Sequence, residues 1–340
     1  MMCHHAAIFV AILVGPAAAK EAEAVRALEK LNASCVREQP DKPVILVSFD
    51  NGKVTSAVVH HLLELPQLET LYLSGGEVTA DGWRELRRLA TLRSLVLHRI
   101  PLTPAGWQHL ARMEQLEALD LRNNSHIGKQ DVRHLAKLKQ LKSLDLFGTN
   151  LAATSLDRIA LLEHLEELAI GGLEIHDADL AKLKPLKNLR RLDLGLSLWV
   201  RGTGLKDLAG LKKLEDIHLA ESGLTDAGLQ ALAQLKSIRK LHLGATAISD
   251  AGLKQLQQLP LLEEVNLFAT GVTDDGMKEI AQLKKLKCLG LFDTKVGDAG
   301  LKELAGCPSL AEVGLFGTRA TAAGIAALKK KLPDLKTDID

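Results

Sequence analysis

The chain has 340 residues, of which 46% are hydrophobic but only 3% are aromatic, so its apolar mass is mostly Leu, Ala and Val. Its 43 Lys and Arg residues balance 42 Asp and Glu residues, which gives a formal charge of +1. This balance, without a long run of one charge sign, argues against nucleic-acid binding, which needs a basic stripe to neutralise phosphates, and against binding to anionic membranes.

The first residues have the pattern of an export signal. Residues 6–14 form a continuous apolar run, shorter than the roughly 20 residues that span a bilayer. Gly15-Pro16 ends the run, and Ala17-Ala18-Ala19 supplies the small residues of a cleavage site. We therefore predict a signal peptide over residues 1–19, a mature chain that begins at Lys20 and is not inserted in the membrane, and a periplasmic, cell-surface or extracellular location.

The segment after the signal is predicted to be a helical cap over residues 20–43. Val25, Leu28 and Leu31 recur there at helical spacing. Such a cap is expected because the end of a repeat array otherwise exposes its apolar core. At the opposite end, residues 335–340 are predicted to be a closing segment for the same reason.

Residues 44–334 consist of about twelve repeated units. The steps between units are 24 residues, with 25 at two places, and a fixed period of this size is typical of a solenoid. The units begin at Val44, Leu68, Leu92, Leu116, Leu141, Leu165, Leu189, Leu214, Ile238, Leu262, Leu286 and Leu310.

Each unit predicts a short strand followed by a helix. The alternation around Ile217 and Leu219 indicates a strand with one apolar face. Thr225-Asp226-Ala227-Gly228-Leu229 then has the form of a helix start, with a hydroxyl N-cap and a negative charge at the positive end of the helix. The predicted N-caps are Thr79, Thr103, Thr225, Ser249 and Thr273. Stacking such units predicts an α/β horseshoe, with a parallel β-sheet on the concave face and helices on the convex face.

The repeated wording, L-x-x-L-x-L-x-x-T-x-V-T-D-A-G-L, resembles leucine-rich-repeat proteins of the ribonuclease-inhibitor-like class, and exported bacterial members in particular. It is also similar to bacterial effector and F-box-type repeats. The resemblance covers residues 44–335 and implies a rigid recognition surface. The chain departs from the common pattern by placing Thr where an Asn ladder is usual, except at Asn124. The unit from Leu189 lacks the Thr-Asp helix start and carries Trp199, so a distorted loop is expected there.

Some residues are expected to be structural. Trp83 and Trp107 take helix positions that hold Leu in later units, and we interpret both as core residues. Cys35 lies at one end of the array, and Cys288 and Cys307 near the other. Since bridged Cα atoms lie within about 7 Å, these three cysteines are predicted to be free thiols.

The third, fifth and seventh positions of each unit should face the concave side. The third position alternates in charge through Glu167, Arg191, Asp216, Lys240 and Glu264, which predicts a face that neutralises itself. The fifth position holds Asp193, His218 and His242 on adjacent strands. These types match a two-histidine, one-carboxylate metal set, although His is also an ordinary solvated strand residue. Asp120 and Asp145 are neighbours in the same row, with no nucleophile or closed pocket beside them.

The seventh position concentrates aromatic residues in a chain with only six Phe. Phe268, Phe292 and Phe316 occupy it in three consecutive units, and Phe147 occupies it upstream. Gly290 and Gly314, at fifth positions, leave room for a ring. Two interpretations stay open: an apolar trough that binds a partner, or a ladder of stacked rings that stiffens the sheet.

The sequence therefore predicts a non-catalytic binding protein without a cofactor, whose concave face takes a protein or, as a second class, a glycan. The candidate contact residues are Phe147, Asp193, His218, His242, Phe268, Phe292 and Phe316. One alternative is an F-box-like ubiquitin-ligase substrate adaptor or a secreted effector. An adaptor would need a helical domain for which the 24 residues between Ala19 and Val44 are too few. A metal-dependent site at Asp193, His218 and His242 is another alternative.

Overall fold

The computed structural model describes residues 16–339, which form a single solenoid. The predicted signal peptide lies outside the described residues except for 16–19, which belong to the first helix. The predicted architecture is confirmed: one long, mostly parallel sheet follows the chain order, with helical segments between its strands.

Fourteen strands of the described chain form this sheet, and two further short strands, Lys53–Val54 and Glu77–Val78, pair separately. The first strand, Ala33–Arg37, runs antiparallel to the second, Val44–Asp50, and each later pair is parallel and in register, as in Leu192 beside Ile217 beside Leu241. The strands are β1 (Ala33–Arg37), β2 (Val44–Asp50), β3 (Lys53–Val54), β4 (Thr70–Ser74), β5 (Glu77–Val78), β6 (Ser94–His98), β7 (Ala118–Asp120), β8 (Ser143–Asp145), β9 (Glu167–Ala169), β10 (Arg191–Asp193), β11 (Asp216–His218), β12 (Lys240–His242), β13 (Glu264–Asn266), β14 (Cys288–Gly290), β15 (Glu312–Gly314) and β16 (Lys336–Thr337).

The α-helices are α1 (Pro16–Glu29), α2 (Ser56–Leu63), α3 (Ala80–Leu86), α4 (Pro104–Leu110), α5 (Val132–Leu135), α6 (Leu156–Ile159), α7 (Asp226–Leu232), α8 (Asp250–Leu253), α9 (Met277–Ile280), α10 (Asp298–Leu304) and α11 (Ala322–Lys331). Tighter 3₁₀ turns occupy Ala153–Ser155, Asp177–Leu183, Thr203–Leu208, Lys254–Gln258 and Asp274–Gly276. Most helices between α2 and α10 are only one or two turns long. The ribonuclease-inhibitor-like subclass, with its long convex helices, therefore stays a prediction.

The core is a stack of aliphatic side chains from the strands and the helices. Leu214, Ile217 and Leu219 of one unit are fully buried, and the pattern recurs along the array. Burying one such side chain contributes about 1.5–3 kcal/mol. Trp83 and Trp107 lie in this core, as predicted. The three cysteines of the described chain are free thiols, also as predicted.

The N-terminal end is covered by α1 and by β1, a strand that the helical spacing did not indicate. Leu28 of α1 is fully buried against the core, but the expectation for Leu31 was wrong, since half of its surface is exposed. The helix ends at Glu29, and Asn32 adopts a left-handed conformation (φ 61°) that turns the chain into β1. Glu21 is buried and accepts hydrogen bonds from Val44 N (3.0 Å) and Arg37 (2.6 Å). At the other end, β16 pairs with β15.

A carboxylate connects consecutive units in the C-terminal half, and we call this contact the aspartate lock. Asp226 Oδ1 accepts from Ser249 N (2.9 Å), and its Oδ2 accepts from Ser249 Oγ (2.6 Å). Asp250 binds Thr273 in the same way (2.8 and 2.7 Å). Asp298 binds Thr321 through the same two bonds, whereas Asp274 accepts from the backbone N–H groups of Gly297 and Gly300. Each of these carboxylates holds the helix start of the next unit.

The lock also explains the glycine of the "DAGL" wording. A Cβ on Gly252 would lie 2.2 Å from Asp226 Oδ1, closer than real contacts allow. The same approach to the preceding Asp recurs at Gly276, Gly300 and Gly324. The two residues of the motif therefore act across units: the Asp reaches forward, and the Gly makes room for the Asp behind it.

This arrangement corrects part of the predicted capping. Thr79 and Thr103 are N-caps whose hydroxyls accept from Gly82 N and Gly106 N (both 3.1 Å), as predicted. Thr225 and Ser249 occupy the N-cap position without accepting such a bond. Thr273 does both, because its hydroxyl accepts from Asp275 N and donates to Asp250.

The Thr residues in place of the usual Asn ladder bond only within their own unit. Thr270 Oγ1, for example, donates to Leu267 O three residues earlier (2.6 Å). Asn124 instead reaches the preceding unit, since it donates to Leu97 O (2.5 Å) and accepts from Ile100 N (3.0 Å). The Asn124 amide therefore joins two units, whereas the Thr hydroxyls, each with a single donor, bond only within one unit.

The eighth position of every unit has a left-handed backbone, with φ between 50° and 75°. The residues are Asn51, Gly75, Arg99, Asn123, Gly148, Gly172, Leu196, Glu221, Ala245, Ala269, Asp293 and Gly317. This conformation costs a non-glycine residue about 1–2 kcal/mol. It extends the ladder between units, because Ala269 N donates to Phe292 O (2.8 Å) and Asp293 N donates to Phe316 O (3.0 Å).

Removing one aspartate lock tests its role. We expect Asp250→Ala to lower the free energy of unfolding by about 1–2 kcal/mol, because Thr273 loses the acceptor for its N–H and its hydroxyl. Asp275→Ala is the matched control, since that side chain is 85% exposed, and its effect should stay within about 0.5 kcal/mol. Urea denaturation of both variants measures this, and equal losses would contradict the lock.

Candidate functional site

The third-position row at the centre of the concave face forms ion pairs across neighbouring strands, as its alternating charges predicted. Arg191 lies between Glu167 (3.6 Å) and Asp216 (3.1 Å), and Lys240 pairs with Glu264 (3.1 Å). Partly exposed pairs of this kind contribute little stability each, and the row keeps an excess of one carboxylate, since three acidic residues face two basic ones.

A second row of alternating charge, at the second position, follows the edge of the sheet and was missed from the sequence. Its members are Glu69, Arg93, Glu117, Lys142, Glu166, Arg190, Glu215, Arg239, Glu263 and Lys287. Lys142 contacts Glu117 (2.7 Å), Arg190 contacts Glu215 (2.8 Å), and Glu263 contacts both Arg239 and Lys287. Reading every 24th or 25th residue at this position would have revealed the row.

Asp193, His218 and His242 lie on adjacent strands, and the first two are hydrogen-bonded to each other. His218 Nδ1 is 3.0 Å from Asp193 Oδ1, and the two imidazole rings lie 5.4 Å apart, tilted by 45°. The second histidine turns to another carboxylate, with His242 Nε2 3.6 Å from Asp216. In the described chain, no group of three or more His, Cys, Asp or Glu residues is placed to hold a metal ion, so the geometry gives no support to a metal site at these residues.

The pKa values of the two histidines are shifted in opposite directions. The hydrogen bond to Asp193 raises the pKa of His218. Burial lowers the pKa of His242, and the neighbouring His218 adds to this effect. Burial pushes the pKa of Asp193 upward, but the hydrogen bonds from His218 and Gly195 N outweigh it, so that this pKa lies below its usual value.

Asp120 and Asp145 belong to a second polar network. Arg122 bridges their carboxylates (2.8 and 3.0 Å). His98 Nε2 lies 3.1 Å from Asp120, and its Nδ1 lies 3.0 Å from the Tyr72 hydroxyl. The paired carboxylates are thus held by a guanidinium and an imidazole, an arrangement that lacks a nucleophile.

The four Phe residues lie two positions beyond the ends of strands β8, β13, β14 and β15, and their rings do not stack on one another. None of the aromatic ring pairs in the described residues joins two Phe residues. Instead, each ring lies where a glycine leaves space: Phe268 over Gly244, Phe292 over Gly314 and Phe147 over Gly171. Phe316 has no such cover and is 65% exposed. The stacked-ladder interpretation is therefore wrong.

A depression of about 410 Å³ lies on the C-terminal part of the concave face. Phe292, Gly290 and Gly314 line it, but so do Glu264, Asn266, Cys288, Glu312 and Lys336. The expected trough is thus mixed rather than apolar, because third and fifth positions from the same strands face into it.

The unit from Leu189 has the distorted loop that was expected. Leu196, Leu198 and Trp199 are 43%, 67% and 55% exposed, which makes them the densest group of exposed large apolar residues in the described chain. Trp199 stacks on His176, with the ring centroids 5.5 Å apart. This unit lacks an aspartate lock of its own, and Asp177 of the unit before it binds Gly202 N and Gly204 N (2.9 and 3.2 Å).

Between residues 16 and 339, no helix is long and apolar enough to cross a bilayer.

The in-register parallel sheet, its buried leucine columns and the period of 24–25 residues define a leucine-rich-repeat solenoid. The chain is a leucine-rich-repeat protein. A family model described as "Zer-1-like, Leucine-rich repeats" matches residues 59–181, and one described as "Leucine Rich repeat" matches residues 210–233 and 282–305.

Similar solved structures share this fold at low sequence identity. An internalin, InlF, from Listeria monocytogenes aligns over 95% of both chains at 20% identity, with a TM-score of 0.60. TLR13, solved as a complex with ssRNA13, aligns over 80% of this chain and 39% of its own at 21% identity, with a TM-score of 0.55. These likenesses show the fold alone. No protein of curated function matches the sequence significantly.

The Asp193–His218 pair predicts a pH dependence. A raised folded pKa means that the His218 charge stabilises the fold fully below its unfolded pKa, about 6.5, and that this contribution is lost as pH rises through the folded value. The lowered pKa of Asp193 means that its contribution is present above about pH 3.9 and is lost as pH falls through the folded value. The pair therefore acts fully between about pH 4 and 6.5.

We expect Asp193→Asn to lower the free energy of unfolding more near pH 5.5 than near pH 9, because His218 is charged only at the lower pH. The same substitution should lower the pKa of His218, which imidazole NMR titration measures. Asp157→Asn, an exposed carboxylate on α6, is the control and should change neither quantity. A pH-independent loss in Asp193→Asn would contradict the ion pair.

Proposed function

We propose that this protein is a non-catalytic recognition protein that binds a partner protein through its concave face. The exposed ring of Phe316 carries the proposal. It lies two residues beyond strand β15, whose last residue, Gly314, lines the C-terminal depression of the concave face. Exposed aromatic residues of this kind are favoured at the centres of protein interfaces.

The other candidate residues contribute to the proposed interface to different degrees. Phe292 and Phe268 are half-buried one and two units before Phe316, and Phe147 is half-buried farther along the sheet. Asp193, His218 and His242 lie between these two aromatic regions and offer polar contacts. A partner that spans both regions would cover about half of the sheet.

We also propose that the protein is exported. The apolar run and the small residues before Lys20 support this, as does the likeness in fold to an internalin. The helix α1 continues across the proposed cleavage point, so that Glu21, which holds Val44 and Arg37, becomes the second residue of the mature chain.

The binding role predicts a loss of partner when the exposed rings are removed. Bait carrying Phe292→Ser and Phe316→Ser should retain the partner at least about tenfold less than unmodified bait, because an interface anchor is truncated. Leu161→Ser is the matched control: this Leu is 44% exposed but follows helix α6, away from the concave face.

The measurement is quantitative capture from envelope and extracellular extracts, repeated after protease treatment. A protein partner is lost on proteolysis, whereas a glycan partner is not. Equal retention by the double variant and the unmodified bait would remove the Phe residues from the site.

Export predicts a processed N-terminus. The protein recovered from the envelope or the medium should begin at Lys20, as determined by N-terminal sequencing or intact mass. Ala19→Arg should block processing, because cleavage requires a small residue there. Recovery of the chain with Met1 still attached, and only from the cytoplasm, would contradict export.

A further inference from the structure

The fifth-position row has a gap on strand β9. In register, Asp145 pairs with Ala169, and Ala169 pairs with Asp193. The two carboxylates therefore start from backbone positions about 9–10 Å apart, two strand spacings, with only a methyl group between them. We call this space the Ala169 slot.

The slot lies within a depression of about 400 Å³ on the concave face, separate from the one at the C-terminal end. The floor of this depression is made of small side chains, because Ser94, Ala118 and Ser143 occupy the third positions of the strands before β9. On the far side, His218 and His242 fill the corresponding fifth positions. The concave surface is therefore deepest at Ala169, between the carboxylates of Asp145 and Asp193.

The charges around the depression do not cancel. Four carboxylates line it, those of Asp120, Asp145, Glu167 and Asp193, against the two guanidinium groups of Arg122 and Arg191. Arg122 lies between Asp120 and Asp145, and Arg191 is shared with Asp216 outside the depression. The surface therefore favours a cation.

The two carboxylates that flank the slot differ in their partners. Asp145 Oδ1 accepts from Phe147 N (2.9 Å) and its Oδ2 lies 3.0 Å from Arg122, so that each oxygen has one lone pair left for a further donor. Asp193 Oδ1 accepts from Gly195 N and His218, while its Oδ2 has no hydrogen-bond partner among the described residues. Burial raises the pKa of Asp145, and the charges of Asp120 and Asp193 add to this rise. A second cation beside Asp145 would relieve that repulsion.

An aromatic wall stands at one end of the slot. The Phe147 ring lies across Gly171, where a Cβ would be 2.8 Å from the ring. Gly171 is two residues after Ala169 and faces the same side of the sheet. A planar cation entering the slot would meet the ring, and guanidinium groups favour such contacts.

We propose that the Ala169 slot receives an arginine side chain of a partner protein, with Asp145 and Asp193 on either side of its guanidinium. The fork of a guanidinium carries donors on opposite edges, which suits two separated carboxylates better than the single point of an ammonium group. This inference rests on the proposed function, because it names the partner chemistry that the concave face would recognise.

The test uses the full chain and three probes: acetyl-Gly-Gly-Arg-Gly-Gly-amide and its lysine and citrulline counterparts. Citrulline keeps the shape of arginine without the charge. Amide resonances of Ala169, Asp145 and Asp193 are followed by NMR during titration. We expect the arginine peptide to shift them, the lysine peptide to bind more weakly, and the citrulline peptide to have no effect.

Matched variants separate the slot from general electrostatics. Ala169→Leu fills the slot without changing charge, and Ala311→Leu adds the same volume at an exposed position elsewhere. Asp145→Asn and Asp193→Asn remove charge without adding volume, and Asp157→Asn removes a distant charge. We expect at least about tenfold weaker arginine-peptide binding for Ala169→Leu, Asp145→Asn and Asp193→Asn, and unchanged binding for the two controls.

Several outcomes would overturn the slot: no shift with the arginine peptide, equal binding of the citrulline or lysine peptide, or unchanged binding to Ala169→Leu. Failure of the slot and failure of the proposed function are distinguishable. If Ala169→Leu bait retains the partner that Phe292→Ser/Phe316→Ser bait loses, recognition stands and the slot is wrong. If no bait retains a partner, the proposed function fails, and the peptide titration still decides the slot.

Discussion

The solenoid depends on hydrogen bonds that each unit makes to the next, and the aspartate lock is the most specific of them. Asp226, Asp250 and Asp298 hold the N–H and the hydroxyl of a residue 23 positions later, and the glycine of the following helix start leaves room for the carboxylate. This contact fixes the distance between helix starts while the strand ladder fixes the distance between strands. The left-handed eighth residue joins the two, because its N–H continues the ladder after the strand has ended.

The same constraint decides which side chains are available for recognition. The backbone and the side chains at the first, fourth and sixth positions of each unit are used for stacking. The side chains at the third, fifth and seventh positions face the concave side and differ from unit to unit. At the third position, charges of alternating sign pair across strands. At the fifth, histidine, carboxylate and small residues alternate, and at the seventh, Phe rings cover glycines. Depressions form where small residues coincide in neighbouring rows, as around Ala169 and around Gly290 and Gly314.

The unit from Leu189 departs from the regular pattern in its loop and at its helix start. The loop exposes Leu198 and Trp199, although its eighth residue, Leu196, keeps the left-handed conformation found in every unit. The helical segment that follows is a 3₁₀ turn, Thr203–Leu208, which begins after Gly202 at φ 96°. Asp177 of the preceding unit binds this turn through Gly202 N, Gly204 N and the Thr203 hydroxyl. The sheet continues through this unit, because β10 pairs with β9 and β11 in regular register.

The period, the strand positions, the buried leucines, Trp83 and Trp107 follow from the sequence alone, because a repeat that must bury one face of a strand and one stripe of a helix leaves little choice of fold. The direction of the Phe rings, the bond between Asp193 and His218, and the mixed lining of the C-terminal depression do not. They depend on which neighbour, 24 or 25 residues away, offers space or a partner atom. A single unit also could not reveal that Asp and Gly of "DAGL" act across units, since their contact exists only after stacking. The tertiary structure decided these points because each is a contact between units, whereas the sequence pattern reports what happens within one.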